Sequence, residues 1–122
     1  MSDAASTDCL FCRIVEGSVP AEIVHTDEHT VAFRDIAPQA PTHVLVIPRR
    51  HAPNAAAVAE EAGEGGTGGV DALVRAAAAV AGAEGLGGDY RLVFNTGAGA
   101  GQTVFHAHLH VLGGRPLSWP PG

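Results

Sequence analysis

The chain has 122 residues, 46% hydrophobic and 16% charged, enough for one globular core and too short for a multidomain machine. Seven Lys and Arg stand against 13 Asp and Glu, a formal charge of -6, so the basic field that nucleic acid or an anionic membrane surface requires is missing. Residues 1–20 carry Asp3, Asp8, Arg13 and Glu16, and the most apolar stretch, Val70 to Ala83, is broken by Asp71 and Arg75. Neither a signal peptide nor a membrane span is expected, and the reading is a cytoplasmic protein.

Met1 to Asp8 is small and polar and is expected to fray, which leaves 9–122 as a single domain. In Cys9 to Glu16, Leu10, Phe11, Ile14 and Val15 recur at helical spacing before Gly17 and Pro20, so a short amphipathic helix is predicted. Glu22 to His25 and Thr30 to Arg34 read as a hairpin around a polar turn at 26–29. Pro38 and Pro41 make the following segment a loop, and His43 to Ile47 is a β-branched strand stopped by Pro48. Residues Ala52 to Gly69 have little hydrophobic bulk and end in glycines, so a mobile surface loop is expected there. Val70 to Glu84 reads as the one long helix, with Val70, Leu73, Val74, Ala77 and Val80 on its apolar stripe. Tyr90 to Asn95 and Thr103 to Leu112 read as strands flanking a glycine-rich loop, and the Pro-rich tail from Pro116 as neither helix nor strand. The predicted class is α+β, a mostly antiparallel sheet of five strands with one long helix and a short N-terminal helix.

His106-Ala107-His108-Leu109-His110 is the segment that points to chemistry. In a strand, alternate side chains share a face about 6.6 Å apart, so three imidazoles would line one surface while Ala107, Leu109 and Val111 enter the core. Three readings are open: solvated histidines, a metal site, or nucleophilic attack on phosphorus. The outermost pair would stand about 13 Å apart, so at most two neighbours share one ion. For attack, a neutral imidazole nitrogen suffices near pH 7, and the central His108 is the natural candidate. Asn95 to Thr103 supplies a glycine-rich loop whose free backbone N–H groups, with Gln102 and Thr103, suit an anion.

Residues 106–112 resemble the signature of the histidine triad superfamily at every place, and the likeness extends through 35–43, Val46-Ile47-Pro48, Asn95, 101–103 and Gly113-Gly114-Arg115. The ending Trp119-Pro120-Pro121-Gly122 is similar to the histidine triad nucleotide-binding branch, a group of purine nucleoside phosphoramidases. That resemblance implies a nucleotidyl intermediate on His108, with His110 and His43 around the phosphate and leaving group. It implies Asn95, Gly101, Gln102 and Thr103 at the phosphate and Asp35 at the ribose. Leu10, Phe11, Ile14, Phe33 and Ile36 would form the apolar slot for the base. The substrate implied is a phosphoramidate of a purine mononucleotide such as AMP or GMP. It also implies a homodimer whose sheet continues across the two-fold, with Trp119 reaching the partner's site. A nucleotide-binding scaffold with incidental turnover and a dinucleoside polyphosphate hydrolase are the alternatives.

Cys9 and Cys12 supply two thiolates, and a structural zinc needs four ligands. Relatives with the same Cys-x-x-Cys imply the set Cys9, Cys12, His51 and His106, with no cofactor required for catalysis itself. The chain departs from the family at Ala98-Gly99-Ala100, at Arg34, where His is common, and in the glycine-rich stretch 63–69.

Overall fold

A run such as Val44-Leu45-Val46-Ile47 has no polar side, so it belongs in the middle of a sheet covered on both faces. The computed structural model describes residues 8–122, so the fraying expected at 1–8 lies outside the described residues except for Asp8. In chain order the elements are α1 (Leu10–Glu16), β1 (Ile23–Thr26), β2 (Thr30–Arg34), β3 (Thr42–Pro48), α2 (Ala55–Ala62), α3 (Val70–Ala83), β4 (Tyr90–Phe94) and β5 (Leu109–Gly113). The five strands form one antiparallel sheet in the order β1-β2-β3-β5-β4, with β3 buried along its whole length. The α+β class, the antiparallel sheet and both predicted helices are therefore present. None of the described helices is long and apolar enough to cross a membrane.

The period of two along each strand sorts side chains onto two faces. Ala32, Val44, Val46, Leu109 and Val111 meet Leu73, Ala76, Ala77 and Val80 of α3 in one core cluster, which also takes in Ala107. Val31, Phe33, Leu45 and Ile47 meet Phe11 and Ile14 of α1 in a second cluster on the opposite face. Burying each large aliphatic side chain is worth about 1.5–3 kcal/mol, so both helix contacts contribute to holding α1 and α3 on the sheet. On α3 the predicted stripe is rotated slightly: Val74 is 42% exposed and Ala76 and Ala81 are buried in its place.

Local chemistry sets the boundaries. Gly17, at φ 83°, caps α1 in the left-handed conformation that glycine adopts at no steric cost. In the β1–β2 turn, Asp27 accepts hydrogen bonds from the His29 and Thr30 amides and from the Thr30 hydroxyl. Burial pushes the Asp27 carboxyl up, but these bonds and His25 outweigh it and hold it at about 2. The expected mobile loop over 52–69 is corrected by α2. Asn54 caps that helix by accepting the Ala57 amide at 2.9 Å, Val58 is buried against the core, and Gly63 ends it. Asn54 and Gly63 were the readable start and stop signals.

The last strand is also shorter than expected. It begins at Leu109, because the register that pairs Val46 with Leu109 would next but one place Ala107 opposite Pro48, which has no N–H to give. The Ala107 amide instead donates to the Ala52 carbonyl at 2.7 Å. His106, at the end of a bend over 104–106, and His108 thus sit just before the ladder, and only His110 lies within it.

Candidate active site

His43 on β3 and His110 on β5 project from the face that α1 covers, as diagonal neighbours across the ladder, since His43 pairs with Leu112 and Leu45 with His110. Their rings meet, with His43 Nε2 2.8 Å from His110 Nδ1. The proton positions follow from the remaining contacts. The Gln39 amide donates to His43 Nδ1 at 3.0 Å, so the His43 proton sits on Nε2 and points at His110 Nδ1, and the His110 proton sits on Nε2. Among the described residues, that Nε2 is the one buried side-chain nitrogen or oxygen without a hydrogen-bond partner. Asp35 Oδ2 lies 3.4 Å from His43 Nε2, while its Oδ1 accepts the Ala37 amide at 2.8 Å.

His108 precedes β5 and is 8% exposed. Its Nδ1–H donates to the His106 carbonyl at 2.8 Å, which leaves the lone pair on Nε2. Phe11 stands edge-on to the ring at 5.2 Å between centroids and so fixes its plane. His108 and His110, 5.1 Å apart, line a cavity of about 470 Å³, a volume in the range of small-ligand sites. Leu10, Phe11, Ile14, Phe33, Asp35, Ile36, Gly101 and Thr103 line it too. Phe11, Ile14 and Phe33 belong to the second core cluster as well as to this wall.

Other predicted residues stand elsewhere. Gln102 is buried, and its side-chain amide is spent on the chain: it donates to the Pro53 and Val104 carbonyls and accepts the Gly97 amide. The loop is correspondingly less open than expected, because the Ala100, Gly101 and Gln102 amides bond within its own short turn at 98–100. Asn95 does not line the cavity, and Trp119 is 82% exposed and outside its lining. Sequence reasoning missed Val19, Pro20, Ala21, Glu22, Leu45 and Val104, which also line the cavity. The first three lie in the connection from α1 to β1, and no local motif signals their place. Arg34 borders the cavity, but its guanidinium is held by Glu84 at 2.9 Å through both terminal nitrogens and by Glu22 through Nε.

Burial holds His43 below the usual imidazole range against the opposing charge of Asp35, and burial, aided by His108 and His43, lowers His110 to about 4. Both rings are neutral at pH 7. Because the folded chain resists protonating His110, the unfolded chain binds the extra proton between the ordinary value of 6.5 and about 4. The His110 contribution to stability is therefore flat above that window and is lost as pH drops through it. A histidine NMR titration is expected to place the His110 midpoint near 4, and a midpoint at 6 or above would contradict the burial described here.

A second cluster lies behind the first. Cys9, the N-cap of α1, Cys12 within it, His51 after β3 and His106 place one ligand atom each within 4.8 Å of one another. His106 Nδ1 is 3.3 Å from Cys9 Sγ, 3.5 Å from Cys12 Sγ and 3.3 Å from His51 Nδ1, and Cys12 Sγ is 3.4 Å from His51 Nδ1. A tetrahedron with zinc–ligand bonds of about 2.0–2.3 Å has edges of about 3.3–3.8 Å, which these four separations match, and all six lie within 4.8 Å. His106 Nε2–H donates to the Pro48 carbonyl at 2.9 Å, the outer contact that turns the other nitrogen toward the thiols. Neither cysteine is in a disulfide.

Residues 16–117 match the family model described as HIT domain. An uncharacterized HIT-like protein of Synechocystis is 48% identical over 116 residues, covering 94% of this chain and 97% of that protein. The crystal structure of a HIT family hydrolase from Legionella pneumophila superposes with a TM-score of 0.85 at 47% identity, covering 94% of this chain and 100% of that one. A histidine triad nucleotide-binding protein from Candida albicans matches with a TM-score of 0.76 at 25% identity, over 93% of this chain and 83% of its own.

Proposed function

Because this chain belongs to the HIT domain family, with HIT family hydrolases among its structural neighbours, we propose that it is a purine nucleoside phosphoramidase of the histidine triad nucleotide-binding branch. The observation that carries this reading is His108, its Nδ1 proton committed to the His106 carbonyl at 2.8 Å and its Nε2 lone pair left for a cavity of about 470 Å³. His108 Nε2 attacks phosphorus, a nitrogen–phosphorus bond forms to the ring, and the bond to the leaving amine breaks, the amine taking its proton from solvent. Water then attacks the same phosphorus, returns that proton to solvent, and the nucleoside monophosphate departs from His108. The unpartnered His110 Nε2–H donates to a phosphoryl oxygen, where charge builds in the transition state. Asp35 meets the ribose hydroxyls, and the Phe11, Ile14 and Phe33 wall takes the purine.

The fit of the four donors supports a structural zinc on Cys9, Cys12, His51 and His106. Bound there, zinc ties α1 to the chain just ahead of β5 and takes no part in the phosphorus chemistry. The same reading makes the working unit a homodimer in the cytoplasm. β4 lies at the end of the sheet, so a second copy added along it would continue the ladder.

A substrate panel tests the proposal. Adenosine and guanosine 5'-phosphoramidates are expected to release AMP and GMP, with light scattering of the same preparation giving two chains per particle. Cleavage of dinucleoside polyphosphates alone would move the chain to another branch, and nucleotide binding without turnover would make it a scaffold.

A further inference from the structure

The His110 donor is only as good as the tautomer that creates it, and that tautomer is set at a distance. At neutral pH both rings of the pair are uncharged, so one proton on the wrong nitrogen of His43 would reverse the whole chain of donors and acceptors. What prevents this on the Nδ1 side is the backbone N–H of Gln39, on His43 Nδ1 at 3.0 Å, while Asp35 Oδ2 stands 3.4 Å from Nε2 as an acceptor for the proton held there. Gln39 lies in the loop between β2 and β3, which has no ladder partner to hold it. Its side chain folds back onto the Ala37 carbonyl at 2.9 Å, a bond inside the same loop that anchors it to nothing else.

The outside anchor is Arg115. Its guanidinium donates to the Gln39 carbonyl at 2.8 Å, and through its other terminal nitrogen to the Pro116 carbonyl at 3.0 Å. The approach is built by the residue before it. Gly114 sits at φ 93°, and a Cβ there would come within 2.9 Å of the Pro41 Cβ, so only glycine lets the segment after β5 cross this close to the loop. From this geometry we infer that Arg115 is a positioning residue, which acts through the Gln39 peptide to keep the His43 proton on Nε2 and so keeps His110 a donor at Nε2. The inference rests on the phosphoramidase reading for its effect on rate, but its structural part stands on hydrogen bonds alone. Without the anchor the Gln39 peptide swings away and His43 is free to carry its proton on Nδ1. His43 Nε2 then accepts from His110 Nδ1–H, and His110 Nε2 presents a lone pair to the phosphoryl oxygen in place of a proton.

The test compares Arg115→Met, Arg115→Lys and, as a second route to the same end, Gln39→Pro, which deletes the N–H itself. The first readout is ¹⁵N NMR of the imidazoles in the full-length chain without ligand. Wild type is expected to show His43 protonated at Nε2, Arg115→Met and Gln39→Pro a mixture of tautomers, and Arg115→Lys a return toward wild type, since an ammonium still donates to the Gln39 carbonyl. The second readout is turnover of adenosine 5'-phosphoramidate, with kcat down about ten-fold in Arg115→Met and KM unchanged, a fraction of what losing a whole transition-state donor costs. An unaltered His43 tautomer in both Arg115→Met and Gln39→Pro would overturn the inference, and so would a loss of rate that tracks melting temperature and not tautomer. If the tautomers shift as expected while no phosphoramidate is turned over by wild type, the positioning role holds and the phosphoramidase reading fails.

Discussion

Replacing His108 by Ala or Asn is expected to lower phosphoramidate turnover by about 10³-fold or more, because a covalent step loses its nucleophile. Binding of AMP should change no more than a few-fold. The apolar wall of Phe11, Ile14 and Phe33, Asp35 and the His110 donor all remain, and in the proposed reading these supply the affinity. Steady-state kinetics with isothermal calorimetry on the same preparation separates the two effects. The packing gives a reason to expect the variant to fold: His108 precedes β5 and takes no part in its ladder, so Asn in its place leaves the sheet registers intact. A loss of only a few-fold would mean that another group attacks phosphorus. A parallel loss of AMP affinity would make His108 a binding group and not a nucleophile.

The second large effect concerns the Cys and His cluster. Elemental analysis of the purified chain is expected to find one zinc per chain, and Cys12→Ala to find none. A ligand present at about 100 times its dissociation constant stabilises the folded state by about 2.7 kcal/mol, and for a chain of this size that moves the melting temperature by about 10 °C. Cys12 is 3% exposed, so truncating it also leaves a small cavity. Treatment of the wild-type chain with a chelator is the cleaner arm, expected to give a similar fall that added zinc reverses. Rapid loss of the His108 position is not required, since its Nδ1–H is held by the His106 backbone and not by the His106 ring. A wild-type chain that carries no zinc, and whose melting is indifferent to chelator and to added metal, would reduce the cluster to two thiols beside two imidazoles.

Much of this was legible in the sequence because it depends on local pattern. The hairpin, β3 and α3 each announce themselves by β-branched runs, turn chemistry or an alanine-rich apolar stripe, and each is within a residue or two of its expected place. The helix α2 was hidden because Ala and Glu give little hydrophobic contrast and the glycines after it suggested a loop. The caps Asn54 and Gly63 carried the signal that bulk did not. The triad strand was overextended, since the pairing that ends it is set by Pro48 on a different strand, about sixty residues away. At the site, the alternation of His106, His108 and His110 correctly separated buried Ala107, Leu109 and Val111 from the imidazoles. What alternation cannot convey is which nitrogen each ring offers. That depends on a carbonyl at His106, an amide at Gln39 and a guanidinium at Arg115, contacts that span up to 76 residues and leave no periodic trace. Gln102 shows a contact that the motif does not convey. Its place in the motif suggested a phosphate contact, and burial commits its amide to the loop that shapes the site.

The most direct test of the central claim is to trap the intermediate. Mixing the chain with excess adenosine 5'-phosphoramidate, quenching within one turnover and mapping the digested protein by mass spectrometry under conditions that preserve nitrogen–phosphorus bonds reads the attacking atom itself. An adenylyl group on the peptide that contains His106 to His110, absent from the His108→Asn chain and present when His110 is replaced, is the predicted result. Product released in the first turnover with no adenylylated histidine, or with the group carried by a residue other than His108, would contradict it.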